Sequence, residues 1–270
     1  MQAQTTDDAP HLLRILGPNC IGALVPGCAL NASFAPGQAL PGELAFVTQS
    51  GALATAMLDW AHPRGIGFSH FISLGDSADV DFGDLLDYLA SDPHTRAILL
   101  YIESVKHARK FMSAARAAAR NKPVVLVKSG RRPDGARAAA SHTGALAGSD
   151  PVFDAAVRRA GMLRVDTLED LFDAAQTLAR VPGWRGPRLA VLTNGGGAGV
   201  LAADTLGGGE LATLSPATLA QLDTCLPATW SRGNPVDIIG DAPPQRYTDA
   251  LRVLLAASEV DGVLLMHAPT

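Results

Sequence analysis

Ala97-Ile-Leu-Leu-Tyr-Ile-Glu103, then His107 to Arg120, then Pro123-Val-Val-Leu-Val-Lys128, is the run that decides the fold. The two end segments read as strands, and the Val-Val-Leu-Val run of the second suits a strand covered on both faces. The Ala-rich piece between them has the length and composition of a helix. A buried strand, a helix and a second buried strand make a crossover unit, and such units imply parallel pairing.

Outward from it the rhythm repeats. Upstream, Leu44 to Thr48 reads as a strand, Gly51 to Trp60 as an apolar helix, Ile66 to Leu74 as a strand and Phe82 to Ala90 as a helix. Downstream, Asp150-Pro151 reads as an N-cap with proline in the first turn of a helix running through Arg159. Leu163 to Val165 is a short strand, and Thr167 to Ala179 a closing helix. Five strands alternating with helices predict a parallel sheet between helix layers, flavodoxin-like or Rossmann-like in topology. Residues 1–40 read as loop-rich, punctuated by Gly17-Pro18, Pro26-Gly27, Pro36-Gly37 and Pro41-Gly42.

Val181 to Pro187 breaks both regular structures and is the expected linker. A second unit then starts: strand Leu189–Thr193, a turn Asn194-Gly-Gly-Gly-Ala-Gly199, helix Val200–Leu206, helices Pro216–Leu226 and Pro244–Ala257, and strand Gly262–Met266. The fold class expected is therefore α/β, with two flavodoxin-like parallel-sheet domains at 41–182 and 187–270. The second domain reads as truncated.

With 270 residues, 47% of them hydrophobic, 18% charged and a net charge of −4, the chain has the make-up of a globular protein with no footprint for nucleic acid. Its three cysteines, Cys20, Cys28 and Cys225, match neither a disulfide framework nor a zinc site and fit a reducing cytoplasm. No apolar run reaches the length of a membrane span, and no signal peptide opens the chain. Asp76, Asp79, Asp81 and Asp84 cluster after the second strand, and helix capping by Asp81 or Asp84 is expected there rather than a metal site.

Two strand-to-helix turns share one design: Val47-Thr-Gln-Ser-Gly-Ala52 and Leu192-Thr-Asn-Gly-Gly-Gly-Ala198. Each ends a buried strand in Thr, adds a polar side chain, and uses glycine to open a helix whose N–H groups can face a phosphate. Ser50, Gly51, Asn194, Gly195, Gly196 and Gly197 are the candidate phosphate-binding residues. Neither turn matches a P-loop, and a dinucleotide fingerprint lacks its acidic partner. Glu103 follows the strand at the carboxyl edge, where ligands of parallel sheets bind. His142 lies in the Gly/Ala-rich loop Arg137 to Gly148 after the next strand, so a Glu103–His142 pair is expected at that edge, the carboxylate fixing the imidazole's tautomer. The other histidines suit a mobile carrier less well: His94 and His107 are expected beside helix starts, and His62 precedes Pro63.

The ordered set Gly17-Pro-Asn-Cys-Ile-Gly22, Thr48-Gln-Ser-Gly51, Asp79-Val-Asp-Phe-Gly-Asp-Leu-Leu86, Glu103-Ser104, Ser141-His-Thr-Gly144, Thr193-Asn-Gly-Gly-Gly-Ala198 and Asn234-Pro-Val-Asp237 resembles the NDP-forming acyl-CoA synthetases, relatives of succinyl-CoA synthetase. The resemblance implies that His142 is phosphorylated, that Glu103 steadies it, and that the helices opening at Ser50–Gly51 and Asn194–Gly197 hold phosphate between their N-termini. It implies CoA, ATP or ADP, and Mg as cofactors and substrates of the full-length enzyme, with acyl-CoA, carboxylate and phosphate as the other reactants. It also makes 1–40 the exit segment of a CoA-binding domain that, with an ATP-grasp domain or subunit, is absent here. A homo-oligomer is compatible with it. The family includes fusions in which the synthetase-like part regulates an acetyltransferase; retention of His142 favours the catalytic line.

Overall fold

The computed structural model describes residues 13–132, 134, 135, 137, 149–181 and 186–269. The chain divides into two units, 1–182 and 183–270.

The first unit is built on a seven-stranded sheet. Its strands are β1 (Gly22–Val25), β2 (Leu30–Ser33), β3 (Pro41–Thr48), β4 (Phe68–Ser73), β5 (Ala97–Ile102), β6 (Val124–Lys128) and β7 (Leu163–Val165), in the spatial order 2-1-4-3-5-6-7. From β4 to β7 all pairings are parallel. The alternation along each strand assigns every second residue to one of two cores. Ala45, Val47, Ile98, Leu100, Ile102, Val124 and Leu126 face α2 (Phe82–Ser91), α3 (Ala108–Asn121) and α4 (Asp150–Ala160). Leu44, Phe46, Leu99, Val125 and Val127 face α1 (Gly51–Ala61) and α5 (Leu168–Arg180). This two-sided burial is why the strands read as unbroken apolar runs.

Several helices begin where a side chain supplies an acceptor. Ser50 caps α1 by accepting from the Leu53 N–H. Asp81 and Asp84 form a reciprocal capping box at α2, and Thr167 and Asp170 do the same at α5. At α4 the cap is Ser149, one residue before the expected Asp150. His94 stands in the turn between α2 and β5 rather than at a helix start.

The reading of 1–40 as loop is corrected by β1 and β2. They form a hairpin that joins the sheet edge antiparallel to β4, Gly22 pairing with Ser73 and Leu24 with Phe71, so the sheet is mixed at that edge. Preceding it, residues 15–21 run beside the loop after β4. Asp76 N–H donates to Pro18 C=O, Ala78 N–H to Gly17 C=O and Ile21 N–H to the Ser73 hydroxyl. Gly75, at φ +56°, is held so close that a Cβ there would lie 2.2 Å from the Pro18 carbonyl oxygen.

The second unit has a four-stranded parallel sheet. Here β8 (Arg188–Thr193) pairs with β10 (Val236–Asp237), β11 (Gly262–Met266) and β9 (Glu210–Leu211). Its helices are α6 (Gly196–Asp204), α7 (Pro216–Cys225) and α8 (Pro244–Ala256). The core gathers Ala190, Leu192, Leu222, Trp230, Ile238, Ala250 and Leu254. The Glu259 carboxylate accepts from the Ser215 N–H at 2.8 Å and the Thr218 hydroxyl at 2.6 Å, tying the start of α7 to the turn before β11. The expected start of α6 at Val200 is too late: the helix takes in Gly196, Gly197 and Gly199, whose low propensity hid it. Gly199 is required there, because a Cβ would sit 2.9 Å from Pro235 Cβ.

Candidate functional site

Both turns form by the same local device. Thr48 is wholly buried at the end of β3; its hydroxyl accepts from the Ser50 N–H at 2.9 Å and donates back to the Ser50 carbonyl at 3.1 Å. Thr193, wholly buried at the end of β8, accepts from the Gly195 N–H at 3.1 Å and donates to the Gly195 carbonyl at 3.3 Å. A hydroxyl that satisfies both backbone groups of the residue two ahead folds the chain from strand into helix within two residues. The helix that follows has first-turn N–H groups without intrahelical partners, together with the positive end of its dipole.

The polar residue between Thr and the cap reaches sideways to the next strand. Gln49 Oε1 accepts from the N–H of Glu103 at 2.7 Å and of Ser104 at 3.0 Å, both just past the end of β5. Asn194 Oδ1 accepts from the Ala268 N–H at 2.8 Å, and its Nδ2 donates to the Ala268 carbonyl at 2.8 Å, just past β11. Thr48 pairs with Tyr101 and Thr193 with Met266, so Glu103 and Ala268 hold equivalent places, each two residues beyond the partner of the threonine.

The differences lie around the shared frame. The cap of α1 is Ser50, whose hydroxyl serves Leu53, whereas the cap of α6 is Gly195 and offers no side chain. Gly51 is approached by Ile21 from the segment before β1: a Cβ at Gly51 would lie 3.1 Å from Ile21 Cγ1. Gly196 faces the Asp237 carboxylate, which a Cβ would meet at 2.9 Å, while the other Asp237 oxygen accepts from the Ile239 N–H. Gly197 borders open space.

Glu103 is half-buried, and its carboxylate has no hydrogen-bond or ion-pair partner among the described residues. Its backbone is held on the other side by Lys128, at the end of β6. Lys128 is 7% exposed, and its ammonium donates to the carbonyls of Glu103, at 2.9 Å, and Ser129. Burial pushes the Lys128 pKa below the ordinary lysine value, with Asp150 and Glu103 opposing the shift and Arg164 adding to it. Sequence reading missed Lys128, and it gave Gln49 no partner; the only signal was a lysine closing a Val-Val-Leu-Val run. His142 lies outside the described residues. Among those residues no group of three or more His, Cys, Asp or Glu is placed to hold a metal ion, and no helix is long and apolar enough to cross a membrane.

Two family models match: the succinyl-CoA ligase like flavodoxin domain over residues 41–178, about half of the chain, and the ligase-CoA domain over residues 189–269. The chain belongs to the NDP-forming acyl-CoA synthetase family. The family's acetate–CoA ligase [ADP-forming] I of Archaeoglobus fulgidus is 43% identical over 96% of this chain and 38% of that protein. The α subunit of acetate–CoA ligase [ADP-forming] I of Pyrococcus furiosus is 41% identical over 96% of this chain and 56% of its own length. Among solved structures, the dinucleotide forming acetyl-coenzyme A synthetase 1 of Ca. Korarchaeum cryptofilum, in complex with phosphate and ADP, superposes with a TM-score of 0.89 at 38% identity, covering 96% of this chain and 56% of that one. The chain thus spans 38% to 56% of the length of these synthetase relatives.

Proposed function

We propose that this chain supplies the phosphate-handling part of an acid–thiol ligase that interconverts acyl-CoA, phosphate and ADP with carboxylate, CoA and ATP. In this reading a phosphate oxygen attacks the thioester carbonyl carbon and the CoA thiolate leaves and takes up a proton, giving acyl phosphate. The phosphoryl group then passes to His142, releasing the carboxylate, and from His142 to ADP. The turns at Ser50–Gly51 and Asn194–Gly197 each offer the N–H groups of a helix start to a phosphate. Phosphoryl transfer asks for positioning and charge stabilisation more than covalent help, and helix N-termini provide both without a bulky cation. Glu103 orients the imidazole and supports positive charge on it.

The observation that carries this reading is the bond from Gln49 to the Glu103 backbone, which sets a carboxylate with no partner of its own beside a phosphate-type turn. The glycines fit an anion: Gly196 and Gly197 are exposed and carry no side chain over their N–H groups. CoA, the nucleotide and the Mg²⁺ that accompanies its phosphates are assigned to a CoA-binding domain and an ATP-grasp domain or subunit beyond these residues, and the chain by itself is expected not to turn over. The α-subunit relatives and the complex of a relative with phosphate and ADP support that division. No observation favours the regulatory acetyltransferase reading.

The test is labelling from γ-labelled ATP in the complete enzyme. His142→Ala should abolish acid-labile label while leaving the circular dichroism unchanged; label that persists, or that maps to another histidine, overturns the assignment. Glu103→Gln should slow labelling without eliminating it.

A further inference from the structure

Glu103 poses a question of aim. A carboxylate that must meet an imidazole needs a fixed direction, yet no side chain among the described residues holds this one. What is fixed is its peptide frame. Gln49 Oε1 takes the N–H groups of Glu103 and Ser104, and Lys128 Nζ takes the Glu103 carbonyl from the neighbouring strand. The three residues stand at the carboxyl ends of adjacent strands: Gln49 after β3, Glu103 after β5, Lys128 closing β6. We infer that Gln49 and Lys128 are positioning residues that clamp the Glu103 backbone from both sides and so set the aim of its carboxylate.

Two observations separate this clamp from ordinary loop packing. Lys128 places its ammonium at a site where burial disfavours charge, and it directs that ammonium to main-chain carbonyls rather than to a carboxylate. Desolvating an ammonium for a structural bond alone is unfavourable where a neutral donor could hold the same loop. The second unit repeats the anchor without the acid: Asn194 binds both backbone groups of Ala268, the place equivalent to Glu103, and no buried cation is needed there. The anchor to the next strand belongs to the turn, whereas the added lysine closes β6, the strand that precedes His142 in sequence.

The inference rests on the assignment of Glu103 as the residue that orients His142, and the experiment keeps the two apart. In the complete enzyme, phosphohistidine formation is followed from labelled ATP in the wild type, Gln49→Met, Glu103→Gln and the double variant, with phosphate KM and kcat of the forward reaction measured in parallel. Gln49→Met keeps the side chain's size and removes the acceptor. It should slow labelling about tenfold, as misplacement of a reacting group does, through kcat with phosphate KM unchanged. In the Glu103→Gln background the same change should cost less than about twofold, because a residue acting through Glu103 has nothing left to aim. Equal slowing in both backgrounds, or no slowing by Gln49→Met where Glu103→Gln does slow, overturns the clamp alone. No effect of Glu103→Gln itself overturns the orienting role and the clamp with it. If Gln49→Met fails to fold, Lys128→Met tests the other side of the clamp in the same cycle, with the same outcomes expected.

Discussion

The two strand-to-helix turns are one backbone solution used twice with different chemistry. In both, a buried threonine folds the chain by bonding the residue two ahead, and in both the next side chain crosses to the residue after the neighbouring strand. At the first turn that residue is Glu103 and the helix cap is Ser50; at the second it is Ala268 and the cap is Gly195. The frame that opens each helix is therefore separable from the acid beside it, and only the first unit places an acid at the residue after the neighbouring strand.

The comparison breaks most readily at the anchors. Asn194 is 3% exposed and makes two bonds to Ala268, so Asn194→Leu should destabilise the second unit by about 3 kcal/mol, since each buried group left unpaired costs about 1–3 kcal/mol. Gln49 is only half-buried, and Gln49→Met should cost the first unit about half as much. Urea midpoints would show it, and a reversed order would mean that the anchors are not equivalent. Thr48→Val and Thr193→Val come next. Each removes a wholly buried hydroxyl with one bond in and one out, and each should cost about 1.5 kcal/mol, with the two values agreeing to within about 0.5 kcal/mol if the device is the same.

How much of this was legible beforehand depends on the range of the interaction. Strands β3, β5, β6 and β8 could be read because burial on both faces leaves apolar runs in them, and Glu103 could be read because it follows such a run. The β1–β2 hairpin could not: its strands are four residues each, mostly not fully buried, and sit among Pro-Gly pairs. The start of α6 was hidden by glycines tolerated for closeness to Pro235 and Asp237, contacts formed only by folding. Gln49 and Lys128 bond to the backbone of a third segment across the sheet, and no local pattern records such a bond.

Smaller effects sharpen the comparison at the caps and in acid. Ser50→Ala should cost about 1 kcal/mol by removing the Leu53 acceptor, and Ser50→Gly only a few tenths of that, since glycine is tolerated as a cap, as Gly195 is at α6. The acid effect is smallest, because the group is only part-buried and is screened by solvent. The Thr218 hydroxyl, then the Ser215 N–H, hold the Glu259 pKa down at about 2 against an ordinary 4.5. A depressed folded-state pKa contributes stability that is complete above pH 4.5 and is lost as pH falls toward 2. Glu259→Gln should remove that part of the second unit's acid sensitivity, and an unchanged acid titration would show that the staple across Ser215 and Thr218 carries none of it.

The β1–β2 hairpin bears on where this protein can be cut. The matching flavodoxin-type domain begins at residue 41, but a chain started there would lose the partner of β4 and the Ile21 side chain that covers Gly51. All six residues of β4 are buried, so its unpaired backbone edge would become a template for pairing with other chains. The hairpin covers that edge of the first unit, and a soluble fragment of the unit should begin ahead of Arg14, whose ion pairs with Asp79 and Asp84 hold the segment before the hairpin, rather than at 41.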